Sequence, residues 1–128
     1  MSPAVFERVL REVAKHVPPI RVAVLYHGGE PFLNPRFLTM ARQVKDLGIP
    51  FVKTVTNGIL LRREMMPSIV RSGLDLIQFS IDGNSGVMND EIRVRSSCER
   101  ILRNVRLLAE VNRAAGMPMK ICLTTVQF

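Results

Sequence analysis

Four short apolar runs, separated by stretches with helical spacing, constrain this 128-residue chain more than any other feature. Ile20 to Tyr26 reads Ile-Arg-Val-Ala-Val-Leu-Tyr, which predicts a strand buried on both faces of a parallel sheet. Phe51 to Thr56, Leu76 to Ile81 and Met119 to Val126 predict three more strands. Strands alternating with helices require right-handed crossovers and therefore run parallel. The order α(βα)₃β thus predicts an α/β fold, either a doubly wound sheet or an arc of a β/α barrel.

The intervening segments carry helix punctuation. Ser2-Pro3 caps and opens a helix whose Phe6, Val9, Leu10, Val13 and Val17 share a face, and Pro18-Pro19 stops it. Asn34-Pro35 opens a second, with Phe37, Met40, Ala41, Val44 and Leu47 on its apolar side and Gly48 as a left-handed cap. Arg62 to Ser72 predicts a third, closed by Gly73. Pro67 is tolerated only in a first turn, so this helix starts near Met66 or kinks. After Asp82-Gly83 a polar loop of about a dozen residues leads to the capping box Ser96-x-x-Glu99. The longest helix follows, with Ile101, Val105, Leu108 and Ala115 as its buried stripe and Gly116 and Pro118 as its end.

A chain of this length forms one domain, residues 1–128, and its 47% hydrophobic content suffices for a core. No apolar run approaches the ~20 residues of a membrane span, and the start does not resemble a signal peptide, so a soluble cytoplasmic protein is expected. Cys98 and Cys122 stand alone, 24 positions apart, and read as buried thiols rather than a disulfide framework or zinc site.

In either architecture ligands meet the chain where strands end and loops enter helices. The first such place is Tyr26-His27-Gly28-Gly29-Glu30-Pro31. Its glycines allow close backbone approach, and strand-end carbonyls beside the Glu30 carboxylate suit an ammonium group. Gly-Gly and Pro form turns in any case, so a plain βα turn stays equally open. No phosphate-binding glycine motif occurs, and Glu30 would repel phosphate. Thr56-Asn57-Gly58 ends the next strand, with hydroxyl and amide groups that make Thr56 and Asn57 candidates to bind a ligand or simply to close the turn, the turn role being favoured for Asn57. Ser80 and Asp82 straddle Ile81 and point to one side of an extended strand, where together they can hold ribose hydroxyls; Asp82 serves equally as a loop cap. His27 beside the turn is pocket lining or ligand contact, and no residue has the partners of a catalytic triad.

Gly28-Gly29-Glu30-Pro31, Thr56-Asn57-Gly58 and Ser80-Ile81-Asp82-Gly83, spaced by whole βα units and followed by Ile92-Arg93, resemble the core of radical S-adenosylmethionine (radical SAM) enzymes, most closely the branch that carries a SPASM-type cluster domain. The resemblance implies a partial β/α barrel in which Gly28 to Glu30 meet the amino group of S-adenosylmethionine, with Pro31 completing the cofactor-binding motif. Ser80 would meet its ribose, and Arg93 would pair with its carboxylate. It also implies a 4Fe-4S cluster on a C-x-x-x-C-x-x-C loop ahead of the first helix, where the cofactor is cleaved to a 5′-deoxyadenosyl radical. That loop is not in the sequence, and Cys98 and Cys122 are too few to replace it. No catalytic residue or metal ligand is therefore assigned within this chain.

Two accounts follow from that departure. In the first, the 128 residues are the middle of a longer enzyme, with Met1 internal and further strands and any auxiliary domain after Phe128, and the chain alone is inactive. In the second, it is a noncatalytic relative that binds S-adenosylmethionine or a partner chain. The substrate, a peptide or small molecule, is left open. A basic nucleic-acid module is a third reading, prompted by 18 Lys+Arg against 11 Asp+Glu and by Arg93, Arg95, Arg100, Arg103, Arg106 and Arg113. Against it, Glu99 precedes Arg103 and Arg106 precedes Glu110 by four residues, which predicts a solvated, salt-bridged face. With no Trp and one Tyr, the chain has no evident platform for stacking bases.

Overall fold

The computed structural model describes residues 2–17, 19–82 and 90–126, with the side chains of 82, 90–97 and 125–126 left aside. Helix α1 (Pro3–Ala14) is followed by β1 (Val22–Val24), a 3₁₀ turn (Pro31–Leu33), α2 (Phe37–Asp46) and β2 (Phe51–Thr56). A second 3₁₀ turn (Arg63–Met65) then leads to α3 (Met66–Val70), β3 (Leu76–Asp82), α4 (Asp90–Ala114) and β4 (Lys120–Val126). The strands form one parallel sheet in the order β1-β2-β3-β4. Every crossover steps the same way, so there is no reversal of strand order to make a doubly wound switch point. The sheet is the arc of a β/α barrel.

Strand register separates two faces. Ala23, Val52, Thr54, Thr56, Ile77 and Phe79 share one face, because Ala23 pairs with Val52, Thr54 with Ile77 and Thr56 with Phe79. This face packs on the helices, and from Val52 to Phe79 it is almost completely buried. The alternate residues Val22, Val24, Lys53, Val55, Gln78, Ser80 and Cys122 face the other way, and none of them is fully buried. Val22 and Val24 are accordingly 49% and 50% exposed. The expected strand at Ile20 to Tyr26, buried on both faces, is therefore corrected to a three-residue edge strand covered on one face only. Cys122 is exposed for the same reason and Cys98 is half-buried, so neither is the buried thiol expected.

Other expectations shift with local chemistry. Asn34 does not open α2: it closes the first 3₁₀ turn, and its Oδ1 accepts from the Arg36 amide at 3.0 Å, so the helix starts at Phe37. The third helix shrinks to Met66–Val70 with Pro67 in its first turn, as the proline requires. Helix α4 begins at Asp90, so Ser96 and Glu99 lie inside it rather than capping it, and Arg93 is helical rather than in a loop. Val9 and Ala115 are exposed. The buried stripe of α4 is completed instead by two amides, Asn104 and Asn112.

Both amides tie the helix to the chain. Asn112 Nδ2 donates to Met119 O at 2.8 Å, and Asn112 Oδ1 accepts from Met119 N at 3.3 Å, just ahead of β4. Asn104 Nδ2 donates to Gly58 O at 2.9 Å, at the end of β2. Where the strands begin, Asp75 Oδ2 accepts from Val52 N at 2.8 Å and from Lys45 Nζ at 2.6 Å. The same ammonium reaches Pro50 O at 2.8 Å.

Candidate functional site

The strand ends meet on the open side of the arc. Beyond β1 the chain passes through Gly28 and Gly29 with φ of +63° and +77°, conformations that cost an L-residue ~1–2 kcal/mol each. A Cβ on either would meet nothing within 4 Å. These glycines are set by backbone conformation rather than by crowding. The double turn delivers Glu30 to the start of the 3₁₀ turn, where Pro31 occupies the first position and the missing proline N–H costs nothing.

Glu30 is more than a turn residue. Its Oε1 accepts from Phe32 N at 3.1 Å, which caps the turn, and from Thr56 Oγ1 at 2.7 Å. Its Oε2 accepts from Asn57 N at 2.8 Å. One carboxylate thus bridges the ends of β1 and β2. Thr56, 2% exposed, also accepts from Gly58 N at 3.0 Å, and Asn57 Oδ1 accepts from Ile59 N at 3.0 Å. Asn57 is therefore the turn former expected, while its amide joins the clamp. Gly58, at φ +72°, has no room for a side chain: a Cβ would lie 2.7 Å from the Phe79 ring.

Tyr26, Gly29, Glu30, Val55, Thr56, Asn57 and Ser80 line one cavity of about 160 Å³. Three successive strand ends, separated in sequence by whole βα units, therefore share a rim. A larger cavity of about 480 Å³ adjoins it along the β1 edge, lined by His27, Gly28, Pro31 and apolar side chains from α1 and α2, with Tyr26 and Glu30 in both walls. Of the sequence-predicted residues, Gly28, Gly29, Glu30, Pro31, Thr56, Asn57 and Ser80 are gathered in these adjoining walls. Asp82 ends β3 two residues after Ser80, and Arg93 lies in the first turns of α4; their side chains fall outside the described set. Tyr26, read in sequence as the end of the strand and the start of the turn, was given no role of its own, yet it stands in both walls.

The electrostatics of the rim are one-sided. Among the described residues no Lys, Arg or His is ion-paired with Glu30. An ionised carboxylate offers about four acceptor positions. Three are filled here, which leaves one on Oε2 for a ligand hydrogen. This donor and acceptor set fits a cationic head group such as an ammonium, and fits S-adenosylmethionine in that respect. It does not fit an iron–sulfur cluster: among the described residues no three His, Cys, Asp or Glu lie together. No described helix is long and apolar enough to cross a membrane.

Comparison with known proteins agrees with the fold. Residues 1–124 match the family model of the radical SAM superfamily. The chain is 36% identical over 77 residues to the tungsten-containing aldehyde ferredoxin oxidoreductase cofactor-modifying protein of Pyrococcus furiosus, which covers 60% of this chain and 21% of that protein. It is 33% identical over 114 residues to the AdoMet-dependent heme synthase of Methanosarcina barkeri, covering 88% of this chain and 30% of the relative. It is also 33% identical over 99 residues to the GTP 3′,8-cyclase of a Synechocystis species, covering 77% and 28%. The chain thus spans less than a third of each of these relatives.

Proposed function

The chain belongs to the radical SAM superfamily, and on that premise we propose that the rim of its first three strand ends holds the methionyl and ribosyl parts of S-adenosylmethionine. One observation carries this reading. The Glu30 carboxylate is fixed by hydrogen bonds from two strand ends, yet its charge has no ion-pair partner among the described residues. A fixed, uncompensated anion beside strand-end carbonyls binds a cation without first having to reorganise.

Each residue then has a task. Gly28 and Gly29 let the backbone approach the ammonium group, with Pro31 holding the turn that follows. Thr56 and the Asn57 amide keep the Glu30 carboxylate aimed at it. Ser80 and Asp82 are assigned to ribose hydroxyls and Arg93 to the carboxylate, whose two oxygens match a guanidinium fork. Radical SAM enzymes pair S-adenosylmethionine with a 4Fe-4S cluster, which supplies one-electron cleavage to a hydrogen-abstracting carbon radical. On this reading the described residues serve only the cofactor side of that chemistry.

We further read residues 1–128 as a partial core domain of a cytoplasmic enzyme of the SPASM-associated branch, acting on a small molecule or a peptide. Calorimetry with S-adenosylmethionine tests the central claim. Saturable binding is expected, weakened about tenfold or more in Glu30→Gln, which loses the charge while keeping the shape. A folded Glu30→Gln chain that binds as tightly as the parent overturns the reading.

A further inference from the structure

Away from the rim, the second 3₁₀ turn and α4 border an open surface concavity of about 540 Å³, lined by the exposed side chains of Arg63, Arg103, Arg106 and Glu110 over Asn104 and Leu107. The spacing of Glu99 with Arg103 and of Arg106 with Glu110 predicts ion pairs along the helix. Neither pair forms. Arg63, Arg103 and Arg106 have no acidic partner among the described residues, although the helix supplies acids at the right intervals. Three guanidinium groups from two separate elements instead border one concavity. Like charges gathered in this way repel one another, and a multiply charged anion between them relieves that repulsion.

We propose that this cavity binds a compact phosphorylated ligand carrying at least two negative charges, of the diphosphate or nucleoside diphosphate class. Guanidinium forks match phosphate oxygens two at a time, and three of them exceed what a single carboxylate can use. The volume lies within the range of small-molecule sites. Glu110 is the exception in a cationic lining: it repels phosphate but accepts from a hydroxyl, which suits a ligand with a phosphorylated end and a hydroxyl-bearing body. No aromatic ring lines the cavity, so single-stranded nucleic acid would find no stacking surface there. Asn104 provides a built-in reporter, since its side chain forms part of the wall while its Nδ2 donates to Gly58 O.

The test is titration of the chain with sodium pyrophosphate and, in parallel, with a nucleoside 5′-diphosphate at fixed ionic strength. Calorimetry gives affinity, and NMR follows the Asn104 side-chain amide and the arginine Nε–H groups. Saturable one-site binding is expected, with shifts at Asn104, and about tenfold weaker in Arg63→Ala, Arg103→Ala and Arg106→Ala. Arg103→Lys, which keeps the charge and loses the fork, should fall between. Arg113→Ala, at an exposed arginine in the last turn of α4, should bind as the parent does. Tighter binding of the nucleotide assigns the hydroxyl-bearing body to Glu110; tighter binding of pyrophosphate assigns the site to free diphosphate. Nonsaturable binding of both probes overturns the proposal. So does equal weakening by Arg113→Ala, or retention of RNA without any affinity for diphosphate.

Discussion

Where the strands begin, Asp75 accepts the Val52 amide and the Lys45 ammonium; where they end, Glu30 accepts the Asn57 amide and the Thr56 hydroxyl. Both carboxylates join neighbouring elements across about 30 residues of sequence or fewer, and both satisfy backbone N–H groups. They differ in charge balance. Asp75 is matched by a cation and Glu30 is not. A matched carboxylate has little left to offer a ligand and serves the fold. An unmatched one, held still at a cavity wall, costs some stability and is available for recognition.

The comparison can be broken by substitution. The largest effect on stability is expected at the rim's own support, in Gly58→Ala. Strain at φ +72° adds to a Cβ placed 2.7 Å from a fully buried Phe79 ring, and unfolding in urea should show a loss of about 3 kcal/mol. Asp75→Asn comes next. The Lys45–Asp75 pair is 28% exposed on each side, between the surface and buried limits, so a loss of about 2 kcal/mol is expected, with affinity for S-adenosylmethionine unchanged in the folded fraction. Glu30→Gln should reverse that pattern, costing about 1 kcal/mol of stability while losing most of the binding. Equal losses of binding in the two carboxylate variants would remove the distinction between the two ends.

The smallest effect calibrates the other three. Glu12, on the exposed surface of α1, titrates below the ordinary carboxylate range, chiefly because Lys15 donates to it at 2.7 Å and further because of His16. Since its folded pKa is depressed, its stabilising contribution is present above the usual carboxylate pKa and is lost as pH falls through the lowered value. NMR titration should show this, and Lys15→Ala should return Glu12 toward the ordinary range with barely detectable change in unfolding.

Much of the architecture is written locally. Phe51 to Thr56 forms the strand its pattern predicts, Gly48, Gly73 and Gly116 adopt positive φ where helices stop, and Pro67 forces α3 to begin at Met66. These are effects of neighbouring residues, and sequence shows neighbours. What escaped depends on the third dimension. An apolar run such as Ile20 to Tyr26 cannot say which of its faces a helix will cover. Asp75 finds Lys45 from 30 positions away, and Asn104 finds Gly58 from 46, with no motif to announce either. The charged face of α4 is solvated as its pattern predicts, but its ion pairs do not form, because i,i+4 spacing permits an ion pair without requiring one. At the rim, Glu30 was legible as an acceptor, but its bond to Thr56 was not, since that contact exists only once two strands lie side by side.

The Asn112 amide has a practical consequence. By gripping both backbone groups of Met119, it fixes where β4 starts, and a one-residue slip would turn every side chain of that edge strand over. With the alignment locked, Cys122 stands opposite Gln78 on the uncovered side of the arc, along the same surface as Ser80. The protein thus carries its own attachment point for a thiol-coupled fluorophore or spin label, from which arrival of a molecule at the strand ends can be watched without engineering a new cysteine.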